Sequence, residues 1–404
     1  MSLSIFKLLK KYIYFFSFLI SVLDLVYLII FKKFKNKRVF LQPEGGFAHT
    51  ILSPEVLKRL YDKNNWCIVF GYDPKRHNFL TSEIYNDHFY WLKLSSKFAK
   101  FSYIDEKYKK KIFLIFEYYL KKNKIEYVYY TDFINKHNNF NQSKLNPKYN
   151  KEGLLLHEYN AFEIFSKKDE FNAPNLISKK YKNIFFHLNK RKICGFGYKK
   201  KSNHAYTNER STDTLENYKK SFFTMIENGW DIYIYGDQLE DLPLWFNEIE
   251  NNIFYSNKSK LNKDEFNLRA GLISDCFIGP ASGASSWKYI FHTKPQLIID
   301  SYPIGWCFYN SVISFKVVFN HQEKKKINEI IDDQIYILKK PPFEIKYTSE
   351  NEKNDIIKDF ILNLSSLEKV TIKPSDLKLT PGHPLYWGKS TISKLWYEIQ
   401  EKHL

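Results

Sequence analysis

The sequence predicts an α/β protein of two doubly wound, Rossmann-like domains behind an amino-terminal apolar helix. Three observations carry this: short apolar runs alternate with segments of helical spacing in both halves, glycine-bearing turns lead from strand to helix, and one lysine-flanked apolar stretch stands alone at the start. A length of 404 residues leaves room for more than one core.

The apolar stretch runs from Tyr12 to Phe31, twenty residues with a single charge, Asp24. Lys7, Lys10 and Lys11 precede it, and Lys32, Lys33, Lys35, Lys37 and Arg38 follow. Such a length suffices for a ~30 Å hydrocarbon core, and no small-residue cleavage site follows it. Three readings stand open: a spanning anchor with Asp24 protonated or paired, a helix lying in the membrane interface under a basic collar, or a buried helix of the first domain. In the membrane readings the heavier positive flank places the bulk of the chain on the cytoplasmic face of an inner membrane.

Residues 38–180 form the first expected domain, after an anchor segment at 1–37. Arg38–Gln42 (RVFLQ) is a strand, Pro43-Glu44-Gly45-Gly46 a turn, and residues 48–61 a helix with Ile51, Val56, Leu57 and Leu60 on one face. Residues 66–71 (WCIVFG) read as a strand, 111–120 as an amphipathic helix, and 126–130 (EYVYY) as another strand.

The second expected domain, 181–404, keeps the rhythm. Residues 192–198 (KICGFGY) are a strand and 211–228 a helix stopped by Gly229. Residues 230–235 (WDIYIY) form a strand ending in Gly236-Asp237. An acidic helix over 239–250, a strand at 253–255 and a helix over 263–272 come next. The strand 276–279 (CFIG) passes through Pro280-Ala281-Ser282-Gly283 into a helix over 284–292, and 296–299 is a strand. Lys324 to Lys326 and Pro341-Pro342 read as solvated linkers, and residues 391–401 as a closing helix.

Composition excludes several classes. An aromatic content of 18% rules out disorder, and 14 glycines and 14 prolines rule out collagenous or low-complexity chains. The net charge of +18 needs discounting, because only six of the 62 basic residues are arginine. Inflated lysine, asparagine and isoleucine point to an AT-rich coding background, so much of the charge is ordinary solvated surface. Nucleic acid, read mostly through arginine, is not an expected partner. Cys67, Cys194, Cys276 and Cys307 form no C-x-x-C pair, which argues against zinc and redox motifs. The N-x-S/T triplets at Asn141, Asn257 and Asn363 are chance matches in an asparagine-rich chain.

In doubly wound sheets ligands bind beyond the carboxyl ends of the strands, which here focuses attention on the cleft between the two domains. The turn CFIGPASGASSW puts Ser282, Gly283, Ser285 and Ser286 at a strand-to-helix passage suited to a diphosphate. The spacing is neither G-x-G-x-x-G nor a P-loop, so a tight turn that merely tolerates small residues stands beside it as an alternative.

The stretch from Asn208 to Asp237, followed by FIGPASGASSWKYIFHTKPQLII, resembles the carboxyl-terminal half of glycosyltransferases found among bacterial surface-polysaccharide genes. The shared pattern falls on Arg210, Tyr218, Gly229, Gly236, Asp237, Gly279, Ser282, Gly283 and Pro295. More distantly, GGFAHTILSPEVL is similar to a segment of heptosyltransferase-like enzymes. Gly46 stands where those enzymes carry an aspartate regarded as the base, so that role does not carry over. The resemblance spans roughly a quarter of the chain. It implies a two-domain GT-B fold and sugar transfer from a nucleotide-activated donor, with Gly236 and Asp237 on the donor side.

No two aspartates stand two residues apart, so the Asp-x-Asp pair of metal-dependent sugar transferases is missing and no metal or other cofactor is expected. The leaving diphosphate must then be balanced by helix dipoles and cations, for which Arg210 and Arg269 are candidates; each also fits a surface ion pair. A base must take the acceptor's proton. Glu44 and His49 are the candidates beside Gly45 and Gly46, although His49 equally suits a hydrogen-bonded histidine of the first helical turn. His204, with Tyr206, lies in a lysine-rich loop that either reaches donor or acceptor or serves no site. The expectation is a metal-independent glycosyltransferase acting on a glycan or lipid-linked acceptor at a membrane surface. The alternative is a non-catalytic nucleotide- or carbohydrate-binding protein of the same fold.

Overall fold

The computed structural model describes the chain outside residues 1–11, 44–46, 62–64, 73–76, 94–105, 138–190, 202–210, 288–293, 303–309, 320–325, 334–343 and 380–382, and scattered positions of one or two residues. The chain divides into two compact units; the described part of the first ends at His137 and that of the second begins at Arg191.

In the first unit the described residues between 12 and 31 are helical, α1. They are followed by β1 (Arg38–Gln42), α2 (Phe47–Leu60), β2 (Trp66–Tyr72), α3 (Thr81–Tyr85), β3 (Phe89–Lys93), α4 (Glu106–Lys122), β4 (Tyr127–Tyr129) and α5 (Tyr130–His137). The strands form one parallel sheet in the order β3-β2-β1-β4. Side chains alternate across it, as the period of a strand requires. Val39, Leu41, Cys67, Val69, Tyr90 and Leu92 face one layer, made by Leu25 and Leu28 of α1 and by Ile112, Phe113, Phe116 and Leu120 of α4. On the other face Phe40 meets Phe133 of α5, Phe89 meets Tyr85 of α3, and Ser53 of α2 donates to Gln42 Oε1 at 2.9 Å.

Two expectations for this unit need correction. Among the described residues no helix is long and apolar enough to cross a membrane. Leu25 and Leu28 of the apolar segment instead lie in the sheet's core. Tyr130 leaves the expected strand 126–130 to open α5, where its ring is buried. The strand β3 escaped notice because FYWLK lacks glycine or proline punctuation on either side.

The second unit carries eight strands in the order β13-β14-β10-β9-β8-β5-β6-β7. These are β5 (Lys192–Tyr198), β6 (Trp230–Gly236), β7 (Ile253–Tyr255), β8 (Cys276–Gly279), β9 (Gln296–Ser301), β10 (Val312–Phe315), β13 (Thr371–Ile372) and β14 (Thr391–Ser393). Only the edge pair β13–β14 is antiparallel. A separate antiparallel pair joins β11 (Val317–Phe319) and β12 (Glu344–Lys346). Read from β7 to β10, the sheet has the 3-2-1-4-5-6 order of doubly wound nucleotide-binding folds, and the first sheet repeats its 3-2-1-4 portion. The α/β class with parallel sheets is therefore observed in both units.

Several expected helices are shorter than the sequence suggests. Residues 211–214 are not helical: Asp213 accepts hydrogen bonds from Thr214 N and Asn217 Nδ2, each at 2.8 Å, and helical turns begin only at Leu215. The helix Lys219–Glu227 then stops at Gly229, whose φ of +84° suits glycine. The acidic helix contracts to one 3₁₀ segment, Leu244–Ile249, behind Pro243. After β8 the described residues form a 3₁₀ turn, Gly283–Ser286, where a helix over 284–292 was expected; 288–293 lie outside the described residues. The closing segment splits into β14 and the helix Lys394–His403, since β-branched Thr391 and Ile392 pair with Val312 and Ile313. Lys324, Lys325, Pro341 and Pro342 are outside the described residues.

Candidate functional site

A doubly wound sheet opens a crevice where neighbouring strands depart in opposite directions, because their crossovers run to opposite faces. In the second unit that place is the carboxyl end of β5 and β8, and three loops meet there. Asp237 N donates to Tyr198 O at 3.0 Å, and the Asp237 carboxylate accepts from Lys200 N at 2.9 Å. Gly236 precedes it with φ +113°, and Asn267 of the helix Lys263–Ile273 bonds both its N–H and its carbonyl at 3.0 Å. The Gly236-Asp237 corner thus stitches the ends of β5 and β6 together. Burial and the Asp237 charge raise the Tyr198 phenol pKa, against a smaller opposing effect of Lys200.

The turn after β8 packs onto β5 through Ala284, which a Cβ on Gly197 would meet at 3.3 Å. Its hydroxyls are engaged locally: Ser282 Oγ accepts from Ala284 N at 3.3 Å, and Ser285 Oγ donates to Pro280 O at 2.7 Å. Ser282 and Ser285 therefore shape the turn, which leaves Gly283 and Ala284 half-buried at its tip.

Arg269 lies near Tyr233 in the middle of β6, with its Nε buried and without a hydrogen-bond acceptor. His49 stands half-buried in the first turn of α2, just beyond the carboxyl end of β1. Glu44, Gly45, Gly46, His204 and Arg210 lie outside the described residues, as do Tyr206 and Cys307. Cys67, Cys194 and Cys276 are buried free thiols.

Lys199 and Thr212 exchange two hydrogen bonds, at 2.8 and 2.9 Å, so the ends of the segment that carries His204 and Arg210 meet at the carboxyl end of β5. Next to this junction is a charged cluster that the sequence did not disclose. Lys353 Nζ, fully buried, lies 2.8 Å from Asp213 Oδ2 and 3.1 Å from Asp300 Oδ2 at the end of β9. It also donates to the carbonyl of Thr348, whose amide donates to Asp300 Oδ1 at 3.0 Å. Burial alone would raise the Asp213 pKa; the Lys353 charge and the hydrogen bonds from Lys353, Asn217 and Thr214 outweigh it and hold the carboxyl below its ordinary value.

Around the same centre, Lys201, Lys316 and Lys353 place their ammonium groups 5.8, 4.0 and 5.5 Å from the Tyr347 ring centroid. Tyr347 OH lies 3.3 Å from Ser211 Oγ, the residue directly after Arg210. Lys353 is balanced by its two carboxylates; Lys316 is buried, and Lys201 is exposed. In a lysine-rich chain no spacing distinguished these lysines from surface residues. Only the S-T-D run at 211–213, directly behind Arg210, was a usable signal.

No protein-family model and no curated protein matches the sequence. Among solved structures, the chain is similar to a glycosyl transferase family 9 protein from Veillonella parvula DSM 2008, at 10% identity and a TM-score of 0.39 over 82% of this chain and 98% of that one. It is also similar to a UDP-N-acetylglucosamine 2-epimerase, at 9% identity and a TM-score of 0.35 over 88% of this chain and 94% of that one.

Proposed function

We propose that the protein is a metal-independent glycosyltransferase. It moves a sugar from a nucleotide-activated donor to a glycan or lipid-linked acceptor in surface-polysaccharide synthesis. The observation that carries this reading is the gathering of the motif residues Gly236, Asp237, Gly279, Ser282 and Gly283 at the carboxyl ends of β5, β6 and β8, where the strand order reverses.

In this reading the second unit takes the nucleotide sugar. The acceptor hydroxyl gives its proton to Glu44 or His49 as its oxygen bonds to the anomeric carbon, and the nucleoside diphosphate leaves with the electrons of the broken C–O bond. Arg210, with the exposed Lys201, offsets the charge of the departing diphosphate. Cations fill this role because the sequence offers no Asp-x-Asp pair for a divalent ion.

The test is a thermal-shift screen of the full chain against nucleoside diphosphates and nucleotide sugars, followed by product analysis with the stabilising donor. A donor that raises the melting temperature and is consumed supports the reading, and Arg210→Ala then weakens both effects. Gly46, in place of an acidic residue, favours one other outcome: binding without turnover would make the chain a nucleotide- or carbohydrate-binding protein of this fold.

A further inference from the structure

Apart from Asp24 and two serines the helix α1 is apolar, yet among its described residues the first sheet covers only one side. Leu25 and Leu28 are buried against Val39, Leu41 and Phe116, whereas Leu23, Tyr27, Ile30 and Phe31 on the opposite side are each more than half exposed, at 65, 58, 66 and 65%. The helix α4 lies on the same face of the sheet and repeats the pattern. Its Ile112, Phe113 and Phe116 are buried, and Leu114, Ile115 and Tyr118 are exposed. A soluble surface seldom carries two such stripes, because exposed apolar patches of this kind mark a docking face.

We infer that this face of the first unit, formed by α1 and α4, docks flat on an anionic lipid surface. Charge chooses the occupant. The apolar stripe of α4 is bracketed by exposed Lys110 and Lys111 before it and exposed Lys121, Lys122 and Lys124 after it. In the sequence the stripe of α1 is bracketed in the same way, by Lys10 and Lys11 and by Lys32 and Lys33. Lysines at both ends of an apolar stripe suit the headgroup layer of an anionic leaflet, where their stems lie along the acyl boundary and their ammonium groups meet phosphate. Tyr27, Phe31 and Tyr118 supply the aromatic rings favoured at that depth. A second copy of a chain carrying +18 would bring lysines against lysines, which disfavours self-association through this face. Insertion across the bilayer would pull Leu25 and Leu28 out of the core, so the helix lies in the interface. The inference does not depend on sugar transfer.

The experiment is flotation of the full chain with vesicles of phosphatidylcholine alone and of equal parts phosphatidylcholine and phosphatidylglycerol. Flotation with the anionic vesicles, weakened by high salt, is expected. The variant L23S/I30S/L114S, altered only at exposed positions, keeps its circular dichroism and melting temperature but binds at least about tenfold more weakly. A variant K110E/K121E/K122E loses the preference for anionic vesicles. Failure of the wild type to float, or unchanged flotation of the folded apolar variant, overturns the inference. So does a wild-type oligomer that ignores vesicles and becomes monomeric in the apolar variant.

Discussion

Lys353 Nζ lies 2.8 Å from Asp213 Oδ2, an ion pair between residues 140 positions apart that ties the return of the loop after β5 to the helix Glu350–Leu362. Asp300 completes the group from the end of β9. All three side chains are buried, so water does not screen the interaction. Lys353→Met leaves two buried carboxylates without their counter-ion, and a loss of about 3–5 kcal/mol in urea unfolding is expected.

The same group sets an acid limit. The Asp213 carboxyl titrates below its ordinary value, so its contribution is fully present above the unfolded-state pKa of ~3.9 and is lost as pH falls through the folded value. Asp213→Asn removes that part of the acid-unfolding slope, which denaturation curves collected stepwise below neutrality will show.

Gly236 and Gly229 both have positive φ, at +113° and +84°, but their surroundings differ. A Cβ on Gly236 would stand 2.2 Å from Tyr198 O, whereas nothing lies within 4 Å of one on Gly229. That carbonyl cannot retreat, because it accepts the Asp237 amide. Gly229→Ala should cost about 1–2 kcal/mol, the left-handed penalty alone, and Gly236→Ala distinctly more. Comparing the two melting temperatures isolates the collision.

Lys294 donates to Leu272 O at 2.9 Å and Ser274 O at 2.5 Å, closing the end of the helix Lys263–Ile273. Burial lowers its pKa to about 8, against smaller opposing effects of Asp275 and Cys276. Between that value and ~10.4 the unfolded chain binds more protons than the folded one, so stability rises with pH across this window, by up to about 3 kcal/mol. Lys294→Met flattens that slope, and a wild-type curve without it would refute the assignment.

Glu55 of α2 is buried and bonded by Tyr85 OH at 3.1 Å. Burial raises its pKa beyond what the Lys58 and Arg59 charges and the Tyr85 bond offset. Its contribution is thus present at low pH and lost as pH rises through the folded value. Glu55→Gln should gain stability relative to wild type as pH rises above the unfolded-state glutamate value of ~4.3, as pH-dependent urea unfolding of the two proteins will show.

Much of the fold was legible because a buried parallel strand is a continuous apolar run. Arg38–Gln42, Lys192–Tyr198, Ile253–Tyr255 and Cys276–Gly279 stand where the residues alone put them. The strands β10 to β14 were not legible, since VISF, VVF, EIK, TI and TIS are too short to show a period. Of the site, the Gly236-Asp237 corner and the turn after β8 could be read locally. Lys316, Tyr347 and Lys353 could not, because nothing in sequence links them to Asp213.

By itself, then, the sequence determined the α/β alternation, the glycine turns and the presence of an apolar, lysine-flanked segment, all properties of neighbouring residues. The tertiary structure alone decided the strand order, the burial of Lys353 between two aspartates, and which side of α1 the core covers. A helix apolar on nearly every side holds little preference among its faces, and a lysine among many gains an identity only when folding brings carboxylates to it and excludes water.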